Sequence, residues 1–159
     1  MANDQAHELR HVVQRFFRCF GALSATATPC GKPLSMAHAH ALMLLLEQPE
    51  VSQQALGKEL HIDKSNVARL CAKLVESGHA RQRPSESDGR SRMVSLTADG
   101  KRLARDVDAA SHARFGAVLA GLPRGKRREL IGSLQELVAV VEATLVPLEP
   151  GSLDEVAAR

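Results

Sequence analysis

Apolar residues fall along the chain in runs whose spacing changes with position. Leu9, Val13, Phe16, Phe20 and Leu23 recur at alternating intervals of four and three, with Val12 and Cys19 beside them. This spacing lays one apolar stripe along a helix and predicts that helix over about residues 5–25. Pro29, Gly31 and Pro33 break the chain there. Ser35 is a candidate N-cap for a second helix, Met36 to Glu47, whose run 41–46 has the character of a buried segment before Pro49 stops it. Ser52 opens a short helix bearing Ala55, Leu56 and Leu60. His61 and Ile62 then make a tight turn, and Asp63 caps a further helix with Val67, Leu70, Cys71, Leu74 and Val75 on one face and Gly78 at its end. Two short helices joined by so brief a turn form a helix-turn-helix pattern.

Beyond Gly78 the period changes. Residues 80–83 are short and mixed, residues 93–96 make the better strand, and the turn-rich stretch 84–91 lies between them, which predicts a β-hairpin with a basic tip. Thr97 caps a long helix with Leu103, Val107, Ala110, Val118 and Leu122 on its apolar side. Pro123 restarts the chain, and Leu130, Leu134, Leu137, Val141 and Leu145 define a last helix before Pro147 and Pro150. The predicted fold is mainly α with a small β-hairpin wing. A winged helix-turn-helix core occupies residues 34–100, a helix and turn precede it over 5–33, two helices follow over 101–146, and 147–159 is read as a loose tail. The stripes of the first and last helices exceed what so small a core can cover, and a second copy of the chain would cover them.

Composition narrows the choices. The 159 residues, 44% apolar and 25% charged, suit one globular domain with a real core. No apolar run approaches the ~18 residues of a membrane-spanning helix. Asp4 and Glu8 stand where a signal peptide would be basic and then apolar, and three cysteines, Cys19, Cys30 and Cys71, are too few for a disulfide framework. A cytoplasmic protein without a membrane partner is expected. Aromatic residues reach only 3%, four Phe with neither Tyr nor Trp, which argues against stacking unpaired bases on aromatic platforms.

The formal net charge of +3 is mild, but its placement is not even. Between Lys58 and Arg105 stand eleven Lys or Arg against six Asp or Glu, while the rest of the chain is slightly acidic. Solvated surface charge is one reading of this, and a polyanion-binding module the other. The outward face of the Asp63-capped helix decides between them. It presents Lys64, Ser65, Asn66, Arg69 and Lys73, short polar groups and long cations of the kind that read base edges and hold phosphates in a major groove. Lys64, Lys73, Arg83, Lys101 and Arg102 are the candidate phosphate contacts, and Ser65, Asn66 and Arg69 the candidate base readers.

The chain resembles the MarR family of winged helix-turn-helix regulators. The resemblance is carried by Leu34-Ser35, by 55–60 (Ala-Leu-Gly-Lys-Glu-Leu), by the stretch 63–74 and the 74–78 segment that follows it. It is most specific in the wing block 88–92 (Asp-Gly-Arg-Ser-Arg) and in 94–100, which ends Leu-Thr-Ala-Asp-Gly. This ordered set spans about residues 5–146. It implies a homodimer with interlocking terminal helices, double-stranded DNA with a palindromic site as partner, and repression relieved by a small-molecule effector or by oxidation. Position by position, it assigns the recognition helix to 63–77, the minor-groove arginine of the wing to Arg90, with Arg92 beside it, and the acid that steadies the wing to Asp88. A guanidinium on a hairpin tip suits a narrow minor groove, which concentrates negative potential. A purely local ion pair of Asp88 with Arg90 is the plainer reading of the same residues. Departures from the family pattern are His79 ahead of the first wing strand, the unusual turn over 27–32, and the lack of Tyr and Trp.

The stretch 19–25 is similar to the segment bearing the reactive cysteine of hydroperoxide-sensing members, which makes Cys19 a redox or effector candidate, with Cys30 the other. Its place beside the apolar stripe favours a buried structural cysteine instead. Cys71 is expected in the core, and Cys30, in a Pro/Gly turn, is expected to be the most exposed of the three. Cys30, His40 and His112 are weak metal candidates by resemblance to zinc-responsive members. However, His38 and His40 are two apart on a helix and cannot readily face one ion, and Ala39 stands where those members carry a glutamate, so surface or capping histidines are preferred and no zinc or other cofactor is expected. The alternative of a different class is a winged helix that binds a protein partner instead of DNA. An enzyme is the least supported reading, with no Gly-rich phosphate loop, G-x-S-x-G or H-E-x-x-H in the chain.

Overall fold

The computed structural model describes residues 2–24, 26–86 and 89–144. Helix α1 runs Ala2–Phe20 and so stops five residues before the expected end. Gly21 is the reason. At φ +86° it lets Ala22 N–H reach the Phe17 carbonyl (3.0 Å) and its own N–H reach that of Arg18 (3.3 Å), the pair of hydrogen bonds that closes a helix. Leu23 continues the apolar spacing but lies in this turn. Helix α2, Met36–Glu47, is capped by Ser35, whose hydroxyl accepts from His38 N–H; of the run 41–46 it buries Ala41, Leu42 and Leu45, with Met43, Leu44 and Leu46 half-buried, and it buries Ala39 as well.

Strand β1, only Val51–Ser52, was not predicted, because two residues are too few to show a period. Ser52 also caps helix α3, Gln53–Glu59. The turn follows, with His61 at φ +52°, and Asp63 caps helix α4, Lys64–Glu76. Gly57 lets the two helices approach: a Cβ there would lie 3.1 Å from a Val67 methyl. Helix α4 buries Val67, Leu70, Cys71 and Leu74, whereas Val75, expected on that face, is exposed. Gly78, at φ +74°, closes α4 as Gly21 closes α1, with Gly78 N–H on Val75 O and His79 N–H on Leu74 O, both 2.9 Å.

Strands β2, Ala80–Pro84, and β3, Arg92–Leu96, form the predicted hairpin, and β1 joins it in an antiparallel sheet of order β1-β3-β2. Val94 stands between Val51 and Gln82, and Met93 between Ser52 and Arg83. Helix α5, Ala98–Ala120, begins under the sheet, with Thr97 as the predicted cap: its hydroxyl accepts from Gly100 N–H (3.0 Å) and donates to Gly78 O (2.7 Å). Thr97 N–H bonds His79 O at 3.0 Å, and a Cβ on Gly100 would lie 1.8 Å from that same oxygen. The Thr-x-x-Gly pattern is therefore the place where the root of the hairpin and the start of α5 meet backbone to backbone. Leu42, Leu45, Leu56, Cys71, Leu74, Val94 and Val107 fill the core between these elements.

The chain divides into two compact units, residues 1–114 and 115–159, with α5 running from the first into the second. In the first unit Leu9, Val12 and Phe16 of the expected α1 stripe are exposed, whereas Val13 and Phe20 are half-buried, and Phe17, outside the stripe, is exposed too. In the second, helix α6, Arg124–Thr144, buries no residue and exposes Leu130, Ile131, Leu134, Val138, Val140 and Val141. Leu145 and the expected tail lie outside the described residues. No helix among the described residues is long and apolar enough to cross a membrane.

Candidate nucleic-acid interface

The outward face of α4 is organised from its first residue. Asp63, in extended conformation, accepts from Asn66 N–H (2.8 Å), from the Ser65 hydroxyl (2.7 Å) and from the Asn66 side-chain amide. The Asn66 amide oxygen in turn accepts from Arg69. Backbone and side-chain donors to its carboxylate, the Asn66 N–H foremost, hold Asp63 at about 2. The three candidate base readers are thus linked in one row. Lys64 and Lys73 are exposed on the same helix.

The wing stands beside α4, where it shares a groove with Lys64 but not with Ser65, Asn66 or Arg69. Gln53, Lys58, Lys64, Gln82, Arg90 and Arg92 are among the residues lining one open groove between the two helices and the hairpin. Ser85 N–H bonds Ser91 O (2.8 Å) below the tip, where Arg90 is exposed. Asp88, the expected wing acid, lies outside the described residues. Gln53 and Gln82 were not singled out from sequence. They meet in the groove, Gln82 donating its amide to Gln53 at 2.9 Å, and nothing local in the chain signals a contact between residues so far apart.

The candidate phosphate contacts are not equivalent. Arg83 is held by Glu50 through two bonds of 2.8 and 2.7 Å, and by Glu86 at 3.2 Å. Arg102 pairs with Asp99 one helical turn away. Both cations are at the surface with a carboxylate partner of their own. Lys101 is exposed on α5.

The cysteine expectations change. Cys19 is exposed, not buried, like Val12 and Phe16 of the stripe beside it. Cys30, expected to be the most exposed, is half-buried, its sulfur 3.0 Å from the hydroxyl of the buried Thr28. Cys71 is in the core, where burial pushes its thiol up to about 11. His40 and His112 are exposed, as surface histidines are. His38 differs from these two. It is half-buried and edge-on to His79 with ring centroids 5.8 Å apart, and burial, then His79 and Lys73, push its pKa down. Among the described residues no three potential ligands come together as a metal site.

Two helices at a tight turn, an exposed polar and cationic face on the second and a cationic hairpin beside it define a winged helix-turn-helix protein. The MarR family model matches residues 32–91. The HTH-type transcriptional repressor Rv2887 of Mycobacterium tuberculosis is 30% identical over 115 residues, covering 72% of this chain and 81% of its own. FabT of Streptococcus pneumoniae, solved in complex with DNA, has the same fold at TM-score 0.70 and 17% identity, over 91% of this chain and 100% of that one. BpsR of Bordetella bronchiseptica, whose DNA binding is regulated by 6-hydroxynicotinic acid, superposes at TM-score 0.66 and 22% identity, over 84% of this chain and 91% of its own. The chain belongs to the MarR family of transcriptional regulators.

Proposed function

We propose that this regulator is a cytoplasmic homodimeric repressor that binds a palindromic operator and is released from it by a small molecule. Helix α4 enters the major groove, with Ser65, Asn66 and Arg69 toward base edges and Lys64 and Lys73 toward phosphates. Arg90 enters the adjoining minor groove, and the two half-sites lie about one helical turn apart. The observation that carries this reading is a groove in which Lys58 and Lys64 of the helix-turn-helix meet Arg90 and Arg92 of the wing, with the linked row Ser65, Asn66 and Arg69 exposed on the same helix as Lys64. The exposed apolar faces of α1 and of α6 support the dimer. BpsR, with its named ligand, supports regulation by a small molecule.

Fluorescence anisotropy tests this with the duplex from just upstream of the gene, beside an unrelated duplex of equal length, at two salt concentrations. A preference of ~10³-fold or more for the upstream duplex is expected of an operator-reading protein. Arg90→Ala should weaken operator binding by roughly tenfold or more, on the scale of one groove contact, and leave the dimer intact. Unchanged affinity in Arg90→Ala would remove the minor-groove assignment. Absence of binding to either duplex at low salt would favour a protein-binding winged helix instead.

A further inference from the structure

Arg83 and Gln82 are successive residues of β2 and so point to opposite faces of the strand. Each is held by the short segment that leads into the helix-turn-helix. Glu50 grips Arg83 with both carboxylate oxygens, at 2.8 Å on Nε and 2.7 Å on Nη2, and Gln53 accepts from the Gln82 amide at 2.9 Å on the other face. Between these two anchors, Val51 and Ser52 pair with Val94 and Met93 of the other wing strand. The middle of the wing is therefore fixed by three sets of contacts to residues 50–53, and Gln53 is the first residue of α3.

A single exposed ion pair contributes little to stability. A two-pronged guanidinium–carboxylate pair does restrict geometry, because both planes and both distances are set together. Glu50 also lies under the influence of a second cation of β2, Arg81, whose own Nε donates to Ser95 Oγ at 3.2 Å. Glu86 takes the remaining side of Arg83 at 3.2 Å. A cation held between two carboxylates is poorly placed to neutralise a phosphate.

We propose that Glu50 is a positioning residue for sequence selectivity: it fixes the wing relative to α4 through Arg83 and withholds that arginine from the DNA backbone. This rests on the DNA-reading function proposed above. Removing an acid near DNA ordinarily tightens binding to every sequence alike. Removing this one frees a cation for non-specific contact and loosens the wing, so unrelated DNA gains and operator does not.

The test uses the full chain as wild type, Glu50→Gln, Glu50→Asp, Arg83→Gln and the double variant Glu50→Gln/Arg83→Gln, each checked for folding by circular dichroism. Each is titrated against the tightest duplex the wild type selects from a random-sequence library and against an unrelated duplex. In Glu50→Gln the ratio of the two affinities should fall about two- to fivefold, the range of one exposed ion pair. The salt slope on unrelated DNA should steepen by about 0.9, one added phosphate contact. Glu50→Asp keeps the charge but not the reach of the pair, and should also lower the ratio. With Arg83 already replaced, Glu50→Gln should change the ratio no further. Equal tightening on both duplexes, with Glu50→Asp behaving as wild type, would show that Glu50 acts only through its charge and would overturn the proposal. A wild type that selects no sequence would instead bring down the DNA-reading function and this inference with it.

Discussion

At the scale of single residues, Asp63 has the most to do. It caps α4 and, through Ser65 and Asn66, orients the side chains that follow it. Its carboxyl sits at about 2 instead of its ordinary 3.8, so its contribution to the folded state is complete above the ordinary value and is lost as pH falls through about 2. Thermal melts followed by circular dichroism should therefore show the wild type losing stability between about pH 4 and pH 2 more steeply than Asp63→Asn, which caps without a charge. Parallel acid profiles for the two proteins would contradict this. The capping residues Ser35, Ser52, Asp63 and Thr97 were all legible in the sequence, because a cap is a local event, a side chain meeting an N–H three residues on. The partner of Arg83 was not legible, since Glu50 comes to it only through the sheet. Cys19 was misjudged for a related reason: adjacency to an apolar stripe implies burial only if something packs on that stripe.

At the scale of elements, the helices and the hairpin followed from periodicity, and the errors sit where periodicity has nothing to say. Helix α1 ends at a glycine inside an unbroken apolar spacing, and β1 is too short to have a pattern at all. The junction of the wing with α5 depends on one missing side chain. Gly100 lies so close to the His79 carbonyl that Gly100→Ala must push α5 away from the strand. We expect Gly100→Ala to cost about 1–3 kcal/mol in urea unfolding, the range of an overpacked site. Gly132 of α6 has open space around it, and Gly132→Ala should instead be neutral or stabilising. Equal effects of the two changes would mean that the junction yields.

At the scale of the whole molecule, the apolar surface of α1 and of α6 asks for a partner. In sedimentation, Leu134→Glu should shift the protein from dimer to monomer, with dimer affinity weakened at least about tenfold, since a buried leucine contributes roughly 1.5–3 kcal/mol. An unchanged sedimentation coefficient would place α6 outside the dimer contact. The order of strands in the sheet has a further consequence, in the time the chain takes to assemble. Contacts between α3 and α4, such as Gly57 against Val67, join near neighbours in sequence across a turn closed by Ile62 N–H on Gly57 O at 3.0 Å, whereas β1 must wait for β3 to return from beyond the whole helix-turn-helix. Loops that close late in sequence close late in folding. In refolding kinetics Val67→Ala should therefore slow folding, while Val51→Ala should leave folding nearly unchanged and speed unfolding. The reading head then forms first, and the strand that ties it to the wing is the last to arrive and the first to leave.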